Sequence, residues 1–259
     1  MPWTEPLFIG LNMVKTIDHY EYFNKNRNLK TKLYDREKIS LRLISKVLKE
    51  QDTFLDAGCG HGDFLEYIKR VFPQVKLKGL DYSKKEVLEA KKNGFDVSQS
   101  DFEEGIKLQK EKYQVVYAGE VLEHLYNTDL FLSELNRITK MHGYLIISTP
   151  NLCAWFNRIF MFLGIQPLFV EMSTKSSLVG SGPLKSLKKG NHPVGHIRIF
   201  TLAALKDICE MNGFKIIDIK GASYEEGLPR WLLPIDRIFK LFPGLSPQMV
   251  VLAKKVRNI

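Results

Sequence analysis

The feature that most constrains this chain is a glycine-rich turn directly after a short apolar run. The run 53–57 is followed by three alternating glycines, Gly58, Gly60 and Gly62, and then by the apolar spacing of a helix over 63–72. Glycines at such a turn let the backbone approach a ligand closely, and the start of a helix offers unpaired N–H groups. The turn therefore predicts a strand–turn–helix unit that holds a nucleotide-like cofactor.

The spacing of the glycines and two nearby acids bear on which cofactor this unit suits. A dinucleotide site has the pattern G-x-G-x-x-G, whereas this chain has G-x-G-x-G with Asp63 where the third glycine would stand. Asp56 precedes the first glycine, and a carboxylate there repels a pyrophosphate but attracts a cationic amino acid. Asp81 follows at about the 20-residue spacing of an acceptor for ribose hydroxyls. An acid at Asp56 is unusual for a pyrophosphate site, and the rest of the chain has to decide which cofactor binds.

Short apolar runs alternate with helical patterns along the first half of the chain. Further strands are expected at 77–82, 96–101, 115–120 and 143–150, and helices at 63–72, 84–93 and 128–141. Strands that alternate with helices predict a mostly parallel sheet with helices on both faces.

Seven motifs together resemble the class I S-adenosylmethionine-dependent methyltransferases, in order and in spacing. The chain is most similar to the branch with a type-11 domain, which includes the quinone-biosynthesis O-methyltransferases, and the resemblance covers residues 50–220. The motifs are Asp56-Ala57-Gly58-Cys59-Gly60-His61-Gly62, Leu80-Asp81-Tyr82-Ser83, Ser100-Asp101-Phe102, Glu120-Val121-Leu122-Glu123-His124-Leu125, Ser148-Thr149-Pro150-Asn151, Gly195-His196-Ile197-Arg198-Ile199-Phe200-Thr201 and Glu210-Met211-Asn212-Gly213-Phe214.

The resemblance implies an α/β fold with a Rossmann-like, doubly wound sheet of seven strands. The last two strands are expected at 214–219 and 249–255, the final one inserted antiparallel, and helical insertions form a cap. One methyltransferase domain is expected to span 1–259. Its parts are an N-terminal helical segment (1–50), the cofactor-binding core (51–150), a lid insertion (151–198) and a C-terminal part of the sheet (199–259) with an amphipathic insertion (224–247).

The resemblance also assigns a cofactor, S-adenosyl-L-methionine, and the residues that bind it. Asp56 would attract the ammonium group or order a water there, and the backbone of the glycine turn would contact the methionine part. Asp81 would accept from the ribose hydroxyls, and Asp101 from the adenine amino group. His61 is expected to be only a turn position. The predicted cofactor-binding residues are Asp56, Ala57, Gly58, Cys59, Gly60, Asp81, Tyr82, Asp101, Phe102 and Gly119.

Two histidines are the predicted catalytic residues. His124 follows the fourth strand at the edge of the crevice where such sheets bind ligands, and its ordinary pKa suits a general base. His196 and Arg198 precede a helix that starts at Thr201, and both are expected to face the site, where Arg198 could pair a substrate carboxylate or phosphate. A histidine that only orders the loop is the alternative for His124.

A divalent metal is a second interpretation of the same segment, which the sequence does not favour. Glu120-x-x-Glu123-His124 resembles the metal-binding pattern of some relatives, the quinone and small-RNA 3′-end methyltransferases. Carboxylates and imidazole on one turn could hold a hard cation, with His192 or His196 completing the set.

The predicted reaction is methyl transfer to a hydroxyl of a small-molecule or lipid-linked acceptor. N- or C-methyl transfer is one alternative, and a non-catalytic S-adenosylmethionine-binding protein that acts through a partner is another. Amphipathic patterns at 152–163 and 231–242 fit either a cap over the core or a peripheral contact with a membrane. In the first pattern Asn157 and Arg158 are expected opposite the apolar face, and in the second Asp236, Arg237 and Lys240.

Composition and charge limit the partners and the compartment. The chain has 38 Lys and Arg against 29 Asp and Glu, a net charge of +9, but its most basic stretch, 175–189, lacks the interleaved aromatic residues of nucleic-acid binders. Nucleic acid is therefore disfavoured, and that stretch is expected to be a mobile loop. Three dispersed cysteines and an N-terminus without a signal-peptide pattern predict a cytoplasmic protein, at most peripheral at the membrane.

Overall fold

The computed structural model describes residues 33–187 and 191–259, so most of the predicted N-terminal helical segment and part of the basic loop lie outside the described residues. Within the described residues the elements follow the predicted alternation. They are α1 (Asp35–Ile44), β1 (Thr53–Ala57), α2 (Asp63–Val71), β2 (Lys76–Asp81), α3 (Lys84–Lys92), β3 (Val97–Gln99), β4 (Tyr113–Gly119), α4 (Thr128–Ile138), β5 (Thr139–Pro150), α5 (Trp155–Phe162), α6 (Leu202–Met211), β6 (Phe214–Ala222), α7 (Leu233–Phe239) and β7 (Gln248–Lys255), with 3₁₀ turns at Leu122–His124, Gly182–Leu187 and Arg230–Leu232.

The strands form one 7-stranded sheet in the order β3-β2-β1-β4-β5-β7-β6. The first five strands pair in parallel, and β7 runs antiparallel to both of its neighbours, β5 and β6. The central strands are buried almost throughout, as expected for strands covered on both faces. The predicted Rossmann-like fold with an antiparallel last strand is confirmed.

Two apolar layers hold helices against the two faces of the sheet. On one face, Phe131 of α4 and Leu205 of α6 are fully buried against the sheet. On the other face, Leu43 of α1, Leu65 of α2 and Val87 of α3 pack on the central strands. The spacing of apolar residues along each helix therefore decides which side of the sheet it covers.

Three predicted element boundaries were wrong. The helix expected over 128–141 ends at Ile138, because the chain from Thr139 onward pairs with β4 as part of a longer β5. The pattern over 152–163 becomes the shorter α5, which ends before Gly164 at a φ of 68°. The pattern over 231–242 splits into a 3₁₀ turn and α7, which carries a proline in its first turn.

In the helices α5 and α7, called the helical cap below, one polar residue each lies opposite to its predicted position, whereas Arg158 and Arg237 are exposed and Phe156 is buried as predicted. Asn157 and Asp236 are both fully buried, although the sequence places them on the polar faces. The Asn157 amide oxygen accepts from the backbone N–H of Leu168, and the Asp236 carboxylate accepts from the Trp155 indole and the Tyr224 N–H. These bonds satisfy the backbone of the surrounding loops, so the polar side chains lie inside the protein.

No helix in the described part of the chain is long and apolar enough to cross a membrane.

Candidate functional site

The candidate site lies where the strand order reverses. β1 and β4 are neighbours at the centre of the sheet, but β1 leads outward to β2 whereas β4 leads to β5 on the other side. The loops at the carboxyl ends of two such strands diverge and leave a crevice between them. The glycine turn 58–62 follows β1, and the turn Leu122–His124 follows β4, so both predicted motifs meet at this crevice.

The glycine turn is held by bonds to the neighbouring β2. The backbone N–H groups of Gly58 and Cys59 both donate to the Leu80 carbonyl, at 2.8 and 2.9 Å. Asp81 is fully buried, and its carboxylate accepts from the N–H groups of Gly60 (2.7 Å) and Ser83 (2.9 Å). Asp81 therefore ties two loops together as well as standing at the end of β2, where the ribose contact is predicted.

Side chains at Gly58 and at Gly60 would meet different surroundings. Both have positive φ, 95° at Gly58 and 52° at Gly60. A Cβ at Gly58 would lie 2.2 Å from Val121 Cγ2, so the β1 turn packs directly on the loop after β4. A Cβ at Gly60 would meet only Glu86 Oε2, at 3.9 Å. The backbone at Gly60 therefore borders open space, which fits the predicted close approach of a cofactor.

The other predicted cofactor residues line the same edge of the sheet. Asp56, Ala57 and Cys59 are buried at the end of β1, and burial raises the pKa of the Cys59 thiol, which stays protonated. Asp101 accepts from the Glu103 N–H at 2.9 Å and is half-buried, whereas the buried Phe102 ring packs on Phe131.

Two more of these residues are held at the rim of the crevice. The half-buried Tyr82 follows β2, and burial raises the pKa of its hydroxyl. Gly119 ends β4, and a Cβ there would lie 2.1 Å from the Tyr117 hydroxyl. The cofactor roles of all ten residues stay predictions.

His61 does more than occupy a turn. Its Nδ1 lies 2.8 Å from a Glu86 carboxylate oxygen, and its Nε2 lies 3.1 Å from one of Asp63. The interaction with Asp63, followed by that with Glu86, raises the pKa of His61 to about 9. A protonated His61 thus joins the glycine turn to the first residues of α2 and α3.

Glu120, the first residue after β4, belongs to a buried polar network. Its backbone has a φ of 56°, a left-handed conformation uncommon outside glycine. Its carboxylate accepts from the Ser148 hydroxyl at 2.9 Å and the Gln248 amide at 3.0 Å, and Arg36 Nε lies 3.6 Å away. Arg36 also pairs with Glu226. Burial raises the pKa of Glu120, and the charge of Arg36 offsets part of that rise.

Glu123, His124 and His196 converge beside this network. One ligand-capable atom of each residue lies within 4.8 Å of those of the other two, and the two imidazole rings are 5.0 Å apart. Glu123 is fully buried; its Oε2 accepts from the Thr149 hydroxyl at 3.1 Å, whereas its Oε1 has no hydrogen-bond partner among the described residues. The sequence pattern predicts Glu120 as a further member of this group, but in the structure the Glu120 carboxylate lies beside Arg36 instead.

Both histidines are oriented through Nδ1. His124 Nδ1 lies 3.1 Å from the Gly195 carbonyl, and His196 Nδ1 lies 3.0 Å from the Phe169 carbonyl. A carbonyl only accepts, so Nδ1 carries the proton in both rings and Nε2 keeps its lone pair. Burial lowers the pKa of His124 to about 3, with a further contribution from His196, and burial lowers the pKa of His196 to about 4. The pair is neutral at pH 7.

The residues that hold His196 in place were not predicted from the sequence. The Glu171 carboxylate accepts from three successive backbone N–H groups, of Val194 (2.7 Å), Gly195 (2.8 Å) and His196 (3.1 Å). Phe169, which supplies the carbonyl for His196, has a φ of 76°. This acid of the predicted lid insertion thereby fixes the backbone that carries His196 and supplies the Gly195 carbonyl to His124. No local pattern marks this acid, because its partners lie over twenty residues away in the sequence.

Two other sequence-predicted residues are not members of the group. Arg198 is exposed; its guanidinium donates to the Tyr126 carbonyl at 2.9 Å and its backbone N–H to the Glu123 carbonyl at 3.0 Å, and its contact with an acceptor stays a prediction. His192 is also exposed and is not part of the three-residue group, which leaves His196 as the histidine that completes it.

Curated proteins are similar to this chain in sequence. The chain is 26% identical over 210 residues to a ubiquinone biosynthesis O-methyltransferase of Bartonella quintana, a match that covers 76% of each chain. A protein of the same description from Pelagibacter ubique is 32% identical, but over 101 residues, 38% of this chain and 41% of that one.

Solved structures show the same fold at lower identity. A putative methyltransferase of Haloferax volcanii, solved with the Trm112 methyltransferase activator, has a TM-score of 0.61 at 13% identity and covers 96% of this chain and all of its own. A methyltransferase of Archaeoglobus fulgidus has a TM-score of 0.58 at 22% identity, covering 90% of this chain and 99% of its own.

A family model decides the assignment. The model described as a methyltransferase domain matches residues 26–219, which include the glycine turn, Asp81 and the Glu123–His124–His196 group. The relatives agree with that match over most of the same residues. The chain therefore belongs to the family of S-adenosylmethionine-dependent methyltransferases.

Proposed function

We propose that this protein transfers the methyl group of S-adenosylmethionine to a hydroxyl oxygen of an apolar, small-molecule or lipid-linked acceptor. The observation that carries the proposal is the convergence of Glu123, His124 and His196 at the crevice after β4. A hydroxyl must lose its proton as it attacks a methyl group, and it needs a group within hydrogen-bond reach that takes the proton or lowers its pKa. The similarity to O-methyltransferases of ubiquinone biosynthesis supports the same acceptor atom.

S-adenosylmethionine supplies the methyl group, and the residues at the end of β1 and β2 would hold it. The open space beside Gly60 admits the cofactor close to the backbone, and the buried carboxylate of Asp56 suits its ammonium group. Asp81 holds the glycine turn in position through the Gly60 N–H. These residues fit the cofactor that the family uses, and they contribute mainly by aligning the reacting groups.

The histidine pair would act on the acceptor hydroxyl. With Nδ1 of each ring bonded to a carbonyl, Nε2 of His124 or of His196 can accept a hydrogen bond from an acceptor hydroxyl. Burial lowers the pKa of both imidazoles, to about 3 and about 4, so each is a weak base that mainly orients the hydroxyl. Burial also raises the pKa of Glu123 well above its ordinary value, and its Oε1 has no hydrogen-bond partner among the described residues.

The same three residues fit a divalent metal. Two neutral imidazoles fixed through Nδ1 and one carboxylate are ligands that first-row divalent ions accept, and the carbonyls of Gly195 and Phe169 are the outer partners that such histidines usually have. A bound cation would lower the pKa of the acceptor hydroxyl in place of a base. Glu120, paired with Arg36, would stay outside the ligand set.

The surroundings of His196 favour an apolar acceptor. The Phe169 ring lies 6.3 Å from the His196 ring, and it packs on Phe156 of α5 and on Tyr224 at 6.1 and 5.0 Å. An aromatic wall of this kind would hold the hydrocarbon part of an acceptor. A cytoplasmic location and a peripheral contact with the membrane stay proposals.

The test is a labelled-methyl assay with purified protein and a panel of acceptors. Phenols and catechols with and without an alkyl tail are compared with matched amines, and the methylated atom is identified by mass spectrometry. Methylated oxygen is expected, with faster turnover for tailed acceptors. Methylated amines alone, or cofactor binding without any turnover, would contradict the proposal.

Variants of the three-residue group test its role. His124→Ala and His196→Ala are expected to lower kcat by about 10²-fold or more with the affinity for S-adenosylhomocysteine unchanged. His192→Ala, an exposed histidine of the same segment, is the matched control. Loss of activity in a chelator and recovery with Mg²⁺, Mn²⁺ or Zn²⁺ would identify a metal, and full activity in the chelator would identify proton transfer to the side chains.

A further inference from the structure

The outer surface of the helical cap consists of apolar side chains and arginines. In residues 155–163 the exposed side chains are Arg158, Ile159, Met161, Phe162 and Leu163. In residues 230–242 they are Arg230, Trp231, Pro234, Ile235, Arg237, Ile238, Leu241 and Phe242. Phe162 is 90% and Trp231 is 70% exposed. Exposed apolar groups are ordinary when they are scattered, but a cluster of this density marks a binding surface.

The two helices present these residues next to each other. Trp155 of α5 stacks on Phe239 of α7, with ring centroids 5.3 Å apart and planes 13° apart. Ile159 and Phe162 follow Trp155 at helical spacings of four and seven residues, and Ile235 precedes Phe239 by four. Residues at such spacings share one face of a helix, so both exposed stripes continue from the stacked pair.

The exposed charged side chains of the two segments are all basic. The segments 155–163 and 230–242 contain one acid, Asp236, and it is fully buried with hydrogen bonds to Trp155 and Tyr224. Arg237 has a partner outside them, Glu225, at 3.5 Å, and because the two side chains are 59% and 32% exposed, water weakens this pair. The surface is therefore apolar and basic, and the chain carries a net charge of +9.

We propose that the outer face of the helical cap docks on the surface of an anionic phospholipid bilayer. Short helices with aromatic and aliphatic side chains on one side and arginines beside them insert their apolar groups at the level of the headgroups, and the arginines attract acidic lipids. The buried Asn157 and Asp236 explain how helices with this polarity are tolerated: their polar groups are satisfied inside the protein.

Docking in this orientation would bring the candidate site near the bilayer. The inner side of α5 carries Phe156, which contacts Phe169, and Phe169 in turn contacts His196. Two aromatic rings, Phe156 and Phe169, thus connect the inner side of α5 to His196. This step deepens the proposed function, because it selects a lipid-linked acceptor, but docking itself requires neither cofactor nor acceptor.

The experiment is vesicle co-sedimentation of the full chain without cofactor. Vesicles of phosphatidylcholine alone are compared with vesicles that contain phosphatidylglycerol, at low and at high NaCl. We expect binding to the anionic vesicles that salt weakens, because the charges near the surface are screened. Phe162→Ser with Trp231→Ser should lower the partition coefficient at least about ten-fold, because two apolar side chains no longer insert.

The control is an equal loss of exposed apolar side chains elsewhere. Leu88 is 51% and Met211 is 66% exposed, and Leu88→Ser with Met211→Ser should bind vesicles as the unchanged protein does. Thermal unfolding of both double variants checks that the fold is kept. Equal vesicle binding by the two double variants would refute the docking surface, as would no binding at low salt.

A second copy of the chain is the competing occupant. If the unchanged protein forms a dimer without vesicles, and Phe162→Ser with Trp231→Ser makes it monomeric, the face is a subunit interface and membrane docking is refuted. Failure of vesicle binding leaves the methyl-transfer assay untouched. Failure of O-methylation with intact vesicle binding would overturn the proposed function instead.

Discussion

Arg36 is expected to stabilise the fold by neutralising buried carboxylates beside the candidate site. It is a buried residue of α1, and its guanidinium contacts Glu226 and lies 3.6 Å from the Glu120 carboxylate. We consider the substitution Arg36→Met, which keeps most of the apolar stem and removes the charge. The two carboxylates then remain in a partly buried position with no cation beside them.

The magnitude follows from the distance and the burial. Two unit charges 3.6 Å apart attract by about 4–5 kcal/mol at an effective dielectric constant of about 20. Removing one partner of a buried pair typically costs about 3–5 kcal/mol, and water can reach these acids in part, so we expect about 3 kcal/mol. In a chain of this size that loss corresponds to a decrease in Tm of about 6–12 °C.

The pH dependence makes the test specific. Burial raises the pKa of Glu120 above its unfolded value, and without Arg36 the pKa rises further. Such a carboxyl stabilises the fold below its unfolded pKa, and this stabilisation is lost as the pH rises through the folded pKa. The difference in stability between Arg36→Met and the unchanged protein should therefore be larger at pH 8 than at pH 5.

The assay is urea unfolding followed by circular dichroism at both pH values. Arg70→Met is the matched control, because the Arg70–Glu66 pair is exposed and should contribute less than about 1 kcal/mol. Adding Glu120→Gln to Arg36→Met should restore part of the stability. A loss no greater than that of the control, a loss independent of pH, or no recovery in the double variant would refute the reasoning.

Two further predictions concern the glycine turn. Gly60→Ala should lower the affinity for S-adenosylhomocysteine at least about ten-fold in calorimetry, because the new Cβ enters the open space beside the turn. Gly94→Ala is the control, because Gly94 also has a positive φ but a Cβ there would meet nothing within 4 Å. Equal affinities of the two variants would show that the turn does not bind the cofactor. His61→Gln should reduce the free energy of unfolding most below pH about 6.5, because Asp63 and Glu86 hold the imidazole protonated in the folded state. This loss should shrink as the pH rises through about 9. A loss of constant size in urea unfolding between about pH 6 and pH 10 would contradict the prediction.

The sheet, the glycine turn and the family could all be predicted from the amino-acid sequence. Short apolar runs, alternation with helical patterns and the glycines are local signals, because strand and helix periods and positive φ depend on neighbouring residues. Asp81 at the end of β2 and the segment Glu120–His124 at the end of β4 followed from the same register. Once both strands were placed, the position of their carboxyl ends at one edge of the sheet required no further information.

The tertiary structure alone decided how the polar groups are partnered. Arg36 meets Glu120, and Glu171 holds the backbone at His196, across separations in the chain that no local pattern encodes. The roles of Glu120 and Glu123 could therefore be distinguished only in the three-dimensional structure. There Arg36 lies beside Glu120, whereas two imidazoles lie beside Glu123.

The orientation of the helical cap also could not be predicted without the tertiary structure. The apolar spacing at 152–163 and 231–242 correctly predicted helices with two unlike faces, but a period cannot tell which face is covered. Asn157 and Asp236 point inward because loop N–H groups and an indole need acceptors there, and this leaves Ile159, Phe162 and Trp231 outside. The physical reason is that a buried polar group must be hydrogen-bonded, whereas an apolar side chain in contact with water incurs a smaller cost.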